Sequence, residues 1–229
     1  NGTYTPSSNT TYFTGSATTI TGATSFYNLI FSNAGTLTVL DNITVQNDLT
    51  ISANGIIDID TQDVTVTGDV SLIGSITASS GDVLMQGIST QTISGNGAAS
   101  IDRLHIDNAT GVVSSANLIV AELLILDSGI FNIGSTLLDL TSTSVSAIED
   151  GSAGTTFSTA NMIQMNGSSV DLGVRKAFTT GANDFTFPVG ISTGYTPARF
   201  NFSANTSAGT ITVKTNTSTI VSKTDDNGD

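Results

Sequence analysis

Along this chain, pairs of apolar residues flank a single residue, usually Thr, Ser or Asp, at a spacing few folds allow. Leu29-Ile30-Phe31, Leu37-Thr38-Val39, Ile43-Thr44-Val45, Leu49-Thr50-Ile51, Ile57-Asp58-Ile59, Val64-Thr65-Val66 and Val70-Ser71-Leu72 begin six to eight residues apart. Alternation with period two is the signature of a strand with one buried face. These strands are too short and too closely spaced for a sandwich of hairpins, whose strands recur every 8–12 residues or so. Three of them in succession span 20 residues from Leu29 to Leu49 and 21 from Leu49 to Val70. That length makes one coil of a three-sided parallel β-helix. Each strand pairs with the equivalent strand one coil above and below, the flanking residues stack inward, and the middle residue faces solvent. The expectation is an all-β chain built as a right-handed parallel β-helix of about 20–22 residues per coil, with a small antiparallel β cap or partial domain at its C-terminal end.

A longer self-similarity overlies the triplets. Residues 26–66 resemble 101–140 at a separation of 75: Phe26 matches Ile101, Leu29 Leu104, Phe31 Ile106, Ile43 Leu118 and Leu49 Leu124. One deletion then brings Val64 onto Leu138 and Val66 onto Leu140. A solenoid explains such repetition, since one coil cannot bury its own apolar face and must stack on another. The 75-residue unit is expected to be three to four coils. The organisation that follows is an N-terminal cap or irregular first coil over 1–25, a β-helix over 26–177, and an antiparallel cap or the start of a further domain, with an acidic tail, over 178–229. The triplets loosen at 147–157 and are expected to resume at Met162–Met165 and Val170–Leu172. Phe185–Phe187, Ala198–Phe202 and Thr210–Lys214 read as hairpin strands.

Composition agrees with strands and turns. Charged residues make up 11% of the chain, there is no Cys or Trp, and Glu occurs only at Glu122 and Glu149. Thr, Ser, Gly, Asn and Asp fill the polar positions, as pleated surfaces and tight turns require. A net charge of −13 argues against nucleic acid, whose binding needs Lys and Arg to neutralise phosphates. It also argues against an anionic membrane surface, and no apolar run approaches the roughly 20 residues of a spanning helix. Without cysteine there is neither a disulfide framework nor thiolate chemistry. The chain starts at Asn1 without Met and its first residues carry no signal-peptide pattern, so it reads as a processed or excised piece of something longer.

The residues Phe26-x-x-Leu29-x-Phe31-x-Asn33-x-Gly35 and the alternating text after them resemble β-helical repeats in very long secreted proteins of the Bacteroidota. The stretch Gly181-x-x-x-Phe185-Thr186-Phe187-Pro188-Val189-Gly190, followed by Tyr195-Thr196-Pro197, resembles a module that often follows those repeats. The resemblance spans about residues 26–200. It implies an extracellular place on the bacterial cell surface, export by the type IX route, and a role as an adhesin or matrix protein.

Candidate chemistry is sparse. His105, the only histidine, sits mid-triplet in Leu104-His105-Ile106 and is expected to face solvent. A Ser/His/Asp arrangement would need it, with Asp102 or Asp107 as the orienting acid. Arg175-Lys176 is the one base-rich element and stands far from the acidic cluster Asp58, Asp60 and Asp63. A convergent set of acids and bases is what an enzyme needs, and the sequence offers none, so no catalytic residue is predicted. Asp58, Asp60 and Asp63 are candidate calcium ligands, as are Asp225-Asp226-Asn227-Gly228-Asp229, because hard cations take oxygen ligands. Neither stretch matches an EF-hand loop, and no cofactor is required. Thr-rich outward faces also suit ice binding, but mixed middle residues argue against a regular Thr ladder. The resulting expectation is a structural or adhesive segment, a stiff stalk or filament piece. Its expected partners are neighbouring domains of a longer chain, another copy stacked end to end, and polysaccharide. The alternative is a polysaccharide-active enzyme or carbohydrate-binding module on the same fold.

Overall fold

The structure, a computed structural model, describes residues 4, 6–151 and 156–217. It is a β-solenoid of about 7 turns, with no helix among the described residues and with parallel strands on three faces. Face 1 stacks Thr10–Phe13, Asn28–Phe31, Leu49–Ile51, Val70–Leu72, Gln91–Gly95, Val112–Ser114, Phe131–Gly134, Ile163–Met165 and Val189–Ile191 in an unbroken parallel ladder. Face 2 begins with Ala17–Ile20, Gly35–Val39, Gly55–Asp60 and Ser75–Ala78, and face 3 with Thr24–Phe26, Ile43–Val45, Val64–Val66 and Val83–Met85. Two long strands, Ser100–Asp107 and Leu118–Ser128, then run along both faces, with register shifts where they turn the corner. Leu137–Leu140 and Gly173–Phe178 continue face 2, and Ile148–Glu149 continues face 3.

The register gives the coil length directly. Leu49 follows its partner Leu29 by 20 residues, Val70 follows Leu49 by 21, Ile93 follows Val70 by 23, and Val112 follows Gln91 by 21. Ile163 follows Phe131 by 32, because longer connections flank Ile148–Glu149 in that coil. The triplets work as expected: Ile43–Val45, Leu49–Ile51, Val64–Val66 and Val70–Leu72 each bury their outer residues and leave the middle one half-buried. Each buried Val, Leu, Ile or Phe contributes about 1.5–3 kcal/mol relative to exposure, and the stacked columns form one continuous core.

The 75-residue similarity is not a whole number of coils. Leu29–Phe31 lies on face 1, whereas its counterpart Leu104–Ile106 lies on face 3. Likewise Ile43–Val45 is on face 3 and Leu118–Val120 on face 2, while Leu49–Ile51 is on face 1 and Leu124–Leu126 on face 3. Every match lands one face back. What recurs is the triplet, which fits all three faces equally well, and the repeat therefore corresponds to about three and two-thirds turns rather than a stack of equivalent units.

The late coils depart from the expectation in two further places. Val170 and Leu172 are exposed residues before a strand rather than inward strand positions, and the pattern resumes in Ile163–Met165 and Gly173–Phe178. Parallel pairing also runs past 178, since Val189 pairs with Ile163. Antiparallel strands then cover this end: Gly194–Tyr195 pairs with Val189–Ile191, and Gly209–Val213 with Gly173–Phe178. Gly181–Phe187 and Ala198–Asn205 form a separate two-stranded antiparallel sheet, whose Phe185, Phe187, Phe200 and Phe202 pack with Phe178 in a mostly edge-to-face cluster.

Candidate functional site

The acidic residues of the early coils have a job inside the fold. A recurring pattern places Asn or Asp immediately before the first inward residue of a strand: Asn28, Asp48 and Asp69 on face 1, and Asn42, Asp63 and Asp82 on face 3. The side chain of each reaches up one coil. Asn28 Oδ1 accepts from the Asp48 backbone N–H at 3.2 Å, Asp48 Oδ1 from Asp69 at 3.0 Å, and Asp69 Oδ1 from Thr92 at 2.7 Å. On the other corner Asn42 Oδ1 accepts from the Asp63 N–H at 2.9 Å, and Asp63 Oδ1 from the Asp82 N–H at 3.0 Å. At these corners the sheet ladder alone does not satisfy the chain, and a carboxylate or amide oxygen supplies the acceptor that a backbone N–H needs.

This accounts for Asp58, Asp60 and Asp63. Asp63 belongs to the capping ladder. Asp58 Oδ1 accepts from the Asp60 N–H at 3.3 Å, which holds the end of its strand. Asp60, with a left-handed φ of 45°, accepts from Ser79 Oγ through its carboxylate and from the N–H groups of Ser79, Ser80 and Gly81 through its carbonyl. Asp58 and Asp60 are thus joined at one strand end, while Asp63 belongs to the face 3 ladder. Among the described residues no three Asp, Glu or His side chains converge as a metal-ligand set. Residues 225–229 lie outside the described residues.

His105 faces out on face 3, between two carboxylates that sequence reasoning did not select. Its Nδ1 is 4.0 Å from Asp82 and its Nε2 is 3.5 Å from Asp127, while Arg103 Nε donates to Asp82 at 2.8 Å. The neighbours in sequence are turned elsewhere: Asp102 accepts from the Ala78 N–H and Asp107 from the Gln86 side chain. Among the described residues the contacts of the His105 ring nitrogens are to these carboxylates rather than to a serine hydroxyl. What brings Asp82, Arg103, His105 and Asp127 together is the stacking of rungs about 20 residues apart, a relation visible only once the coil length is known.

Arg175 and Lys176 do not act as a basic pair. On a strand, adjacent residues point to opposite sides. Arg175 faces out and makes a bidentate ion pair with Asp139, which holds its guanidinium above its usual range. Lys176 faces in and is fully buried. It occupies the final rung of the column Leu37, Ile57, Ile76, Ile101, Val120, Leu140. Its Nζ donates to the carbonyls of Ser142 and Ala177 at 2.6 Å and lies 4.9 and 5.1 Å from the ring centres of Phe178 and Phe185. Burial lowers its pKa to about 8. The alternation Val174, Lys176, Phe178 was the available signal for this inward lysine.

The outward surface left by these arrangements is polar and shallow. On face 3 the middle positions stack as Ser25, Thr44, Thr65, Leu84, His105 and Ile125. The three hydroxyls form a short ladder at the strand spacing of about 4.8 Å, ending at Leu84. Such a surface can exchange hydrogen bonds with a hydroxylated ligand. In comparisons with protein families, with curated proteins and with solved structures, the chain matches none.

Proposed function

We propose that this chain is a non-catalytic structural and adhesive segment of an extracellular bacterial surface protein. Its mechanism is geometric. About 7 turns at a rise of about 4.8 Å each give a rod of roughly 35 Å, stiff because every coil is hydrogen-bonded and packed to the next. The observation that carries this reading is the parallel ladder of face 1, uninterrupted from Thr10 to Ile191, with capping oxygens at successive corners of the early coils. Nearly all of the inward chemistry is thereby committed to holding coils together. The rung Thr10–Phe13 pairs on only one side among the described residues and is an edge on which neighbouring domains of a longer chain, or a second copy, would stack. The outward hydroxyls and amides suit weak contacts with polysaccharide, strengthened by avidity when many copies are displayed.

The test is incubation of the purified segment with neutral and anionic polysaccharides, scoring both retention and new chain ends. Retention without new ends is expected. New ends would replace this reading with a polysaccharide-active enzyme on the same fold.

A further inference from the structure

Resting on the adhesive reading above, we propose that the first coils of face 3 hold a binding site for a neutral polysaccharide chain. An open groove of about 560 Å³ runs there, lined among others by Tyr4, Pro6, Asn42, Thr44, Asp63 and Thr65, with Ser25 on the same ladder. Three features fit a sugar. First, Ser25, Thr44 and Thr65 are paired in register on three successive strands. They present hydroxyls at about 4.8 Å intervals, close to the length of one pyranose ring, so consecutive sugars of a chain along the solenoid axis meet equivalent donors and acceptors. Second, Asn42 and Asp63 each use one oxygen for the capping ladder. That bond fixes the side chains, while Asn42 Nδ2 and Asp63 Oδ2 have no partner among the described residues. A fixed amide donor and a fixed carboxylate acceptor are the groups that read vicinal hydroxyls. Third, Tyr4 supplies an aromatic ring, exposed over 45% of its surface. It is anchored by Phe26 at 5.6 Å between ring centres and by its hydroxyl against Thr11 Oγ1 at 2.6 Å. An anchored ring with an open face stacks on the apolar C–H face of a sugar at little cost in side-chain entropy.

Charge selects the ligand class. Among the described residues, the one charged side chain lining the groove is Asp63, and no Lys or Arg lines it. An anionic glycan would meet uncompensated repulsion on a chain of net charge −13, so the site takes a neutral chain.

The test is calorimetric titration of the whole segment with cellohexaose, maltohexaose, mannohexaose and laminarihexaose, with heparin and polygalacturonate as anionic comparisons. At least one neutral hexaose is expected to bind. The double substitution Thr44→Val/Thr65→Val should weaken it at least tenfold, and Tyr4→Ala by a similar factor. Thr50→Val, on the outside of face 1, should change nothing. Thr44→Ser/Thr65→Ser keeps the hydroxyls and should retain binding, which separates loss of the groups from loss of the fold. Binding unchanged in the Val and Ala variants overturns the groove and leaves the adhesive segment standing. Binding of anionic glycans alone overturns the charge argument and the site with it. No binding of any glycan overturns both the site and the adhesive reading, leaving a spacer.

Discussion

The early coils and the late coils solve the same problem with different chemistry. From Asn28 to Ile106 the inward positions are mostly aliphatic, many outward ones are Thr, Ser or Asp, and corners are closed by Asn and Asp oxygens one coil apart. From Leu137 onward the columns take in Lys176, the surface carries the Asp139–Arg175 pair, and a Phe cluster under a two-stranded sheet replaces stacked aliphatics. The early coils accept further copies of themselves on either side. The late coils differ: a lysine enters the apolar column, antiparallel strands pair with Gly173–Phe178 and Val189–Ile191, and among the described residues Ile148–Glu149 on face 3 pairs on one side only.

The comparison breaks most sharply in the core. Phe31 is fully buried in a regular coil, and Phe31→Ala should cost about 3–5 kcal/mol in chemical denaturation. Phe200→Ala, in the half-buried two-stranded sheet, should cost clearly less. Equal losses would mean that the cap is as much a part of the core as the coils.

Lys176 gives a pH test of the late coils. Below pH 8 the folded and unfolded states both hold its proton, and the fold bears the full cost of burying the charge. Between about pH 8 and 10.5 the folded state has released the proton and the unfolded state has not, so stability rises with pH. The rise should be up to about 3 kcal/mol across that window and absent in Lys176→Met. Denaturation midpoints of both proteins at pH 7 and pH 10 measure it.

Smaller effects sharpen the early coils. A Cβ added at Gly74 would lie 2.0 Å from the Gly55 carbonyl oxygen one coil below, so Gly74→Ala should destabilise by about 1–3 kcal/mol through forced separation of the coils. Asp69→Ala removes the acceptor for the Thr92 N–H and should cost about 1 kcal/mol, whereas Asp69→Asn keeps an oxygen and should cost little. Thermal melting of the three variants decides whether the acidic residues are structural caps or merely soluble surface.

The triplets were legible because period two survives without any knowledge of partners. Three triplets per coil follow from their spacing, and the register of Leu29 on Leu49 and Val70 was readable from it. The caps were not, because a carboxylate and its N–H lie about 20 residues apart and look in sequence like loose acidity. The same distance hid that Asp63 caps the Asp82 N–H one coil on. Val170 and Leu172 misled for a different reason: an alternating apolar pair in a connection is indistinguishable from a short strand until its hydrogen bonds are seen. The 75-residue match was legible as three to four coils, but that its matched strands lie on different faces was not.

The stacking register is the claim on which the rest depends, and the absence of cysteine makes it directly measurable. Thr50 and Ser71 are adjacent on face 1, paired across one coil. Thr50→Cys/Ser71→Cys should form an intramolecular disulfide under mild oxidation, since neighbouring strands bring Cα atoms into the bridging range of about 4.4–6.8 Å. Thr50→Cys/Ile125→Cys, which joins positions equivalent in the 75-residue repeat but set on different faces, should not. A bridge in the second protein and none in the first would contradict the solenoid as described, and with it the rod that the proposed function requires.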